Sequence, residues 1–96
     1  MNIIVELVNT TANLKVEGRL DTITAPELEK SINEVEAKEI VLNLGNLEYI
    51  SSAGLRVLLS AHKKFVKLNG MKVVNVKPDV MEIFEMTGFA DILNIE

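Results

Sequence analysis

The most constraining feature of this chain is the junction between Asn43 and Leu59, Asn-Leu-Gly-Asn-Leu-Glu-Tyr-Ile-Ser-Ser-Ala-Gly-Leu-Arg-Val-Leu-Leu. A strand-like run, Ile40 to Leu44, opening on β-branched Ile40 and Val41, leads into it, and the polar residues that follow read as a turn. Two adjacent hydroxyls, Ser51 and Ser52, then stand where a long 3.6-residue apolar periodicity begins. The order is strand, loop, helix, with Ser51 or Ser52 at the helix N-cap. A serine there accepts a hydrogen bond from a backbone N–H two or three residues on and satisfies one of the helix's orphan donors. Ala53 and Gly54 are small, which predicts a backbone open to approach, and a phosphate placed there would face the positive end of the helix dipole.

The flanking segments limit what can surround this junction. Ile3 to Val8 is β-branched and is followed by the polar turn Asn9–Asn13, after which Leu14-Lys15-Val16-Glu17 alternates; this predicts a hairpin closed at Gly18. Arg19 to Ile23 reads as a connection. Thr24-Ala25-Pro26-Glu27 has capping-box spacing, with Thr24 as N-cap and Glu27 reaching back. Leu28, Ile32 and Val35 follow at helical intervals, giving a helix over about 25–36.

Ile40 to Leu44, apolar on both faces, reads as a central strand. Beyond Ser52, the residues Leu55, Leu58, Leu59, His62, Phe65 and Val66 share one helical face. Arg56, Ser60, Lys63, Lys64 and Lys67 share the other. Asn69-Gly70 ends that helix, Met71 to Val76 is a further strand, and Pro78 opens a short helix that Gly88 closes. Its inner stripe is Val80, Ile83, Phe84 and Thr87. Ile92 to Ile95 is a candidate fifth strand. Alternating strands and helices after a hairpin imply right-handed crossovers and a mixed four- to five-stranded α/β sheet, residues 1–96 forming one domain.

Charge and composition exclude several functions. A net charge of −4 lacks the basic excess a nucleic-acid surface needs, and the Lys63, Lys64, Lys67 cluster reads as a solvated helix face. The absence of cysteine removes disulfide, thiol and thiolate-metal chemistry and suits a reducing cytoplasm. Met1 to Glu6 has no basic n-region, and no apolar stretch approaches the roughly 20 residues of a membrane span.

Catalysis fares no better. The one histidine, His62, stands ten residues after Ser52, roughly 15 Å along a helix at ~1.5 Å per residue, too far to act as a base for it. A nucleophile elbow needs glycine two before the serine, where Ile50 stands. No phosphate-loop glycine pattern occurs. Asp21, Glu48, Asp79 and Asp91 have no metal-ligand spacing and read as surface.

Leu44 to Leu55 resembles the signature of the anti-sigma-factor antagonists, the bacterial single-domain members of the STAS fold. Gly18-Arg19-Leu20-Asp21-Thr22-Ile23-Thr24-Ala25 resembles the family's G-x-L-D-x-x-T-A segment leading into the first helix, and Ile83 to Phe89 resembles its closing helix. The resemblance implies a STAS fold with helices packed mainly on one side of the sheet, and a switch in place of a catalyst, without a cofactor. In the family the unphosphorylated antagonist binds a kinase-type anti-sigma factor and frees the sigma factor. The kinase then phosphorylates a serine at this helix start, which ends the association, and a PP2C-type phosphatase restores the binding form.

Carried over by position, the acceptor falls on Ser52, with Ser51, where many members have Asp, as the alternative. Asp21 corresponds to the acid beside the acceptor loop. Asp21, Thr22, Ser51, Ser52, Ala53, Gly54 and Arg56 are the expected partner-binding residues. Two other readings of the same residues are a STAS scaffold that is never phosphorylated and a nucleotide binder using the helix N-terminus as an anion site.

Overall fold

A computed structural model describes Met1–Glu96. Strands β1 (Asn2–Val8) and β2 (Thr11–Leu20) form the hairpin. They are followed by α1 (Ala25–Glu34), β3 (Glu39–Ile50), α2 (Ser52–Phe65), β4 (Met71–Val74) and α3 (Pro78–Thr87), with a single 3-10 turn at Phe89–Asp91. The sheet has four strands in the order β1-β2-β3-β4; β1 runs antiparallel to β2, and β2, β3 and β4 are mutually parallel. Ile95 makes only an isolated parallel bridge to Val73, so the expected fifth strand is reduced to one pair.

Alternation dictates which face of the sheet is buried. Ala12, Leu14, Val16 and Leu20 of β2, Ile40, Leu42 and Leu44 of β3, and Met71 and Val73 of β4 are buried with Leu28 and Ile32 of α1, Leu55, Leu58 and Phe65 of α2, and Val80 and Phe84 of α3. Val41, Asn43, Lys72 and Val74, on the other face, are half-buried, so the sheet is covered on one side and β3 is not the two-sided strand that its composition predicts.

Several expected boundaries move. β2 continues past Gly18 to Leu20, and β3 past Leu44 to Ile50, so the predicted turn at Gly45–Ile50 is strand. Two bulges explain both. Lys15 and Glu17 pair with Asn43 and Asn46, and Gly18 and Arg19 with Leu47 and Tyr49, so β3 carries an extra residue at each step. Gly18, opposite the second bulge on β2, takes φ +100°, a conformation open to glycine without steric cost.

Helix α1 lacks the predicted capping box: Thr24 makes no side-chain cap bond, its hydroxyl oxygen accepting instead from the Asp21 N–H at 2.9 Å while its proton goes to the Arg19 carbonyl at 2.7 Å. On α2, Val57 and Ala61 are buried, while Val66, predicted on the inner face, is 59% exposed because the helix has ended at Phe65. Thr87 is likewise exposed, its hydroxyl donating to the Ile83 carbonyl one turn back. Pro78 and Gly88 bound α3 as expected, Gly88 at φ +82°.

Candidate functional site

The two bulged strands end together. The Ser51 N–H donates to the Leu20 carbonyl at 2.8 Å, tying the end of β2 to the residue where β3 turns into α2. This contact places the Asp21 loop beside the start of α2, at the carboxyl end of the central parallel strands, where open α/β sheets present their sites.

The two adjacent serines have different positions. Ser51 is the N-cap, with extended backbone at φ −97° and ψ 175°, and its Oγ accepts from the Gly54 N–H at 3.3 Å. Ser52 is the first helical residue. Its side chain is exposed, and its Oγ makes no hydrogen bond within the protein. Cap geometry therefore occupies one hydroxyl and leaves the other facing solvent.

Gly54 does not hold the backbone open, contrary to the expectation from its size. It is buried, and a Cβ there would lie 2.7 Å from Leu20 Cγ, 2.9 Å from Ile50 Cγ1 and 2.9 Å from Leu20 Cδ2. Its smallness lets the first turn of α2 close onto the ends of β2 and β3. Ala53 is half-buried on the same turn.

Asp21 organises the neighbouring loop. Its Oδ1 accepts from the N–H groups of Ile23 and Thr24, each at 3.0 Å, with the Thr24 hydroxyl, whose proton is directed at Arg19, 3.2 Å away, while its carbonyl accepts from the Ala25 N–H at 2.8 Å. The Thr24 amide, with smaller help from Ile23, the Thr24 hydroxyl and the Arg19 charge, outweighs desolvation and holds the Asp21 carboxyl below its ordinary range. Asp21 thus shapes the loop internally, and Thr22 and Ile23 project from it, Ile23 83% exposed.

Behind the loop, Arg19 lies over the Tyr49 ring at 4.4 Å from its centroid, joining β2 to β3 at their registered positions. Arg56 is exposed one turn along α2 from Ser52 and has no carboxylate within ion-pair distance. Together with Thr22, Pro26, Glu29 and Ala53 it lines a shallow groove between the starts of α1 and α2.

The structure therefore brings together Asp21, Thr22, Ser51, Ser52, Ala53, Gly54 and Arg56, with Gly54 beneath the surface. Sequence reasoning missed Ile23, Arg19 and Tyr49. An isoleucine amid Asp21-Thr22-Ile23-Thr24 was the available signal, being an apolar residue in a connection with no core periodicity. His62 is far along α2 from this surface, half-buried, with Nδ1 enclosed and without a partner. No cluster of three or more His, Cys, Asp or Glu is arranged to hold a metal ion, and no helix is long and apolar enough to cross a membrane.

This arrangement of a hairpin-led mixed sheet, an Asp loop and a serine-capped helix is that of a known class. The profile of the STAS domain matches residues 2–96, and the chain belongs to that family. Over 84 residues it is 39% identical to BtrV of Bordetella bronchiseptica, provisionally assigned as an anti-sigma factor antagonist, covering 83% of this chain and 72% of BtrV. Among solved structures, an anti-sigma factor antagonist from Mycobacterium paratuberculosis superposes with a TM-score of 0.88 at 28% identity, covering 98% of this chain and 83% of that one. The Bacillus cell fate determinant SpoIIAA in its phosphorylated form shares the fold, with a TM-score of 0.76 at 18% identity over 99% of this chain and 91% of that one.

Proposed function

We propose that this protein is an anti-sigma-factor antagonist acting in the cytoplasm as a reversible partner switch. With Ser52 unmodified, the surface formed by Thr22, Ile23, Ser52, Ala53 and Arg56 binds a kinase-type anti-sigma factor and releases the sigma factor. The same partner, using ATP, phosphorylates Ser52 and thereby ends the association; a PP2C-type phosphatase restores the binding form.

The observation that carries this reading is the contrast between the two serines: Ser51 Oγ is engaged as the cap, while Ser52 Oγ is exposed and unbonded. This favours Ser52 over Ser51 as acceptor, since an attacking hydroxyl must be exposed and free of internal bonds to enter a kinase active site. The names of the relatives support the anti-sigma partner, and Asp21 serves by fixing the loop that presents Thr22 and Ile23.

The energetics favour control at the interface. A phosphoserine adds about −1.5 to −2 charge, which the first turn of α2 favours by up to ~2 kcal/mol. The core, one turn below, is not asked to change. Desolvating that dianion against a partner surface shaped for a hydroxyl costs several kcal/mol unless a cation pairs with it. Since ~1.4 kcal/mol is a factor of ten in affinity, two or three such steps dissolve a micromolar complex.

Incubation with the cognate anti-sigma kinase and ATP, followed by intact-mass measurement and site mapping, tests the assignment. One phosphate on wild type and on Ser51→Ala, and none on Ser52→Ala, is expected. Phosphate on Ser51, or no adduct on wild type, would overturn it, the latter in favour of a scaffold.

A further inference from the structure

The two edges of the sheet are treated differently. β4 is only four residues long, and its outer side is taken by the C-terminal segment: Val73 N–H donates to the Asn94 carbonyl and Glu96 N–H to the Val73 carbonyl, each at 2.9 Å. Nothing covers β1. It is seven residues long, Asn-Ile-Ile-Val-Glu-Leu-Val, and pairs with β2 through seven consecutive positions without a bulge.

The hairpin fixes which β1 groups are free. Val8 and Thr11 face each other across the two-residue turn Asn9–Thr10, and the closing pair of such a turn exchanges both of its hydrogen bonds. Alternation then directs the backbone of Val8, Glu6, Ile4 and Asn2 toward β2, and that of Ile3, Val5 and Leu7 toward the open edge. None of those three residues finds a backbone partner elsewhere in the chain. Folded proteins usually guard such an edge with Lys, Pro or a bulge, and β1 has none of these. Its side chains are apolar and open, with Ile4, Val5, Leu7 and Val8 between 44% and 56% exposed.

We propose that β1 is a self-pairing surface through which two copies of this chain join, β1 to β1 and antiparallel, into a continuous eight-stranded sheet. The sequence of β1 is what selects a second copy. A two-fold axis at Val5 places Val5 against Val5, Ile3 against Leu7 and Leu7 against Ile3, and those are the three residues whose N–H and C=O groups point outward. Every one of their six groups is then satisfied.

In the same register the helix-side row is apolar throughout, and on the opposite face Ile4 meets Glu6 of the partner subunit, so the one charge of β1 never opposes its equivalent. An axis at Glu6 would still pair Val5 with Leu7, but it would oppose the two carboxylates directly and leave Ile3 against Asn9 of the turn. On the helix side, Val5, Leu7 and Val35 line an open groove beside α1, and Ile3 of the partner subunit falls at its mouth.

Sedimentation of the full chain from about 1 µM to about 1 mM tests this, with hydrogen exchange of the backbone amides. Val5→Pro removes an outward N–H that β2 does not use, and Leu7→Lys puts a charge on an already exposed position; both are checked for native far-UV dichroism. A reversible dimer is expected, with the Ile3, Val5 and Leu7 amides protected only at high concentration, and with each variant raising the dimer dissociation constant at least about tenfold. A monomer throughout the range overturns the proposal, whether or not another protein's strand takes the edge. A dimer indifferent to both substitutions, with those three amides exchanging freely, overturns it equally.

Discussion

Gly54→Ala isolates the packing on which the candidate site rests. The position is helical, so alanine brings no backbone strain and would ordinarily gain up to about 1 kcal/mol of helix propensity. Against this, the new methyl would lie 2.7 Å from Leu20 Cγ and 2.9 Å from Ile50 Cγ1, in side chains that are 0% and 2% exposed. Neither atom is a free chain end, so the first turn of α2 must move away from the strand ends. Overpacking of this kind costs about 1–3 kcal/mol.

A net loss of about 1–2 kcal/mol is therefore expected, lowering the melting temperature by roughly 4–8 °C per kcal/mol in a domain of this size. Urea titration monitored by far-UV dichroism measures it. In a Leu20→Ala background, where two of the three crowding atoms are gone, the cost of Gly54→Ala should fall by at least about half, a coupling of the size seen for contacting residues. A Gly54→Ala protein as stable as wild type, or a cost unchanged by Leu20→Ala, would refute the close-approach explanation.

Three further outcomes follow from the same junction. Ser51→Ala should lose about 0.5–1 kcal/mol, the low end for an N-cap given its 3.3 Å bond, while Ser52→Ala should stay within ~0.5 kcal/mol of wild type by thermal unfolding. Glu27→Ala should be equally silent, because Thr24 and Glu27 form no capping box; a loss of a full cap's worth would restore the box. Asp21, whose folded carboxyl is held below its ordinary value, contributes stability that is complete above its unfolded pKa near 4 and is lost as pH falls through the lower folded value. Carbon NMR of the Asp21 carboxyl across pH 2–6 or so should show a depressed midpoint, and Asp21→Asn should flatten the acid limb of stability; an ordinary midpoint contradicts the Asp21–Thr24 geometry.

What the sequence made legible was what periodicity carries. The hairpin, the three helices, the mixed sheet, Pro78 and Gly88 all lie where their spacing and turn chemistry place them, whereas the one-sided cover of the sheet follows from the family resemblance and not from the composition of β3. The reading failed where a period changes. In β3 the buried residues run 40, 42, 44, then 47 and 50, because two bulges each add a residue, and a broken alternation looks like a turn.

It failed also where one side chain does another's work. Asp21 accepts from the Thr24 amide that Glu27 would reach in a capping box, its own N–H occupies the Thr24 oxygen, and no local pattern separates that from a threonine cap. The division of labour between Ser51 and Ser52 was likewise out of reach, since both are good cap residues and only backbone geometry selects Ser51. At Gly54 size alone is ambiguous: a small residue can expose backbone or admit a neighbour, and here Leu20 and Ile50 fill its place.

In the proposed switch, a phosphate on Ser52 prevents docking while leaving the fold alone. Calorimetric titration of the cognate anti-sigma kinase with the unmodified and the Ser52-phosphorylated chain, paired with a melting curve of each, tests it most directly. The expected result is affinity weaker by about a hundredfold or more with a melting temperature unchanged or slightly raised. Equal affinity for the two forms, or a phosphorylated chain that has lost its native melting transition, would contradict it.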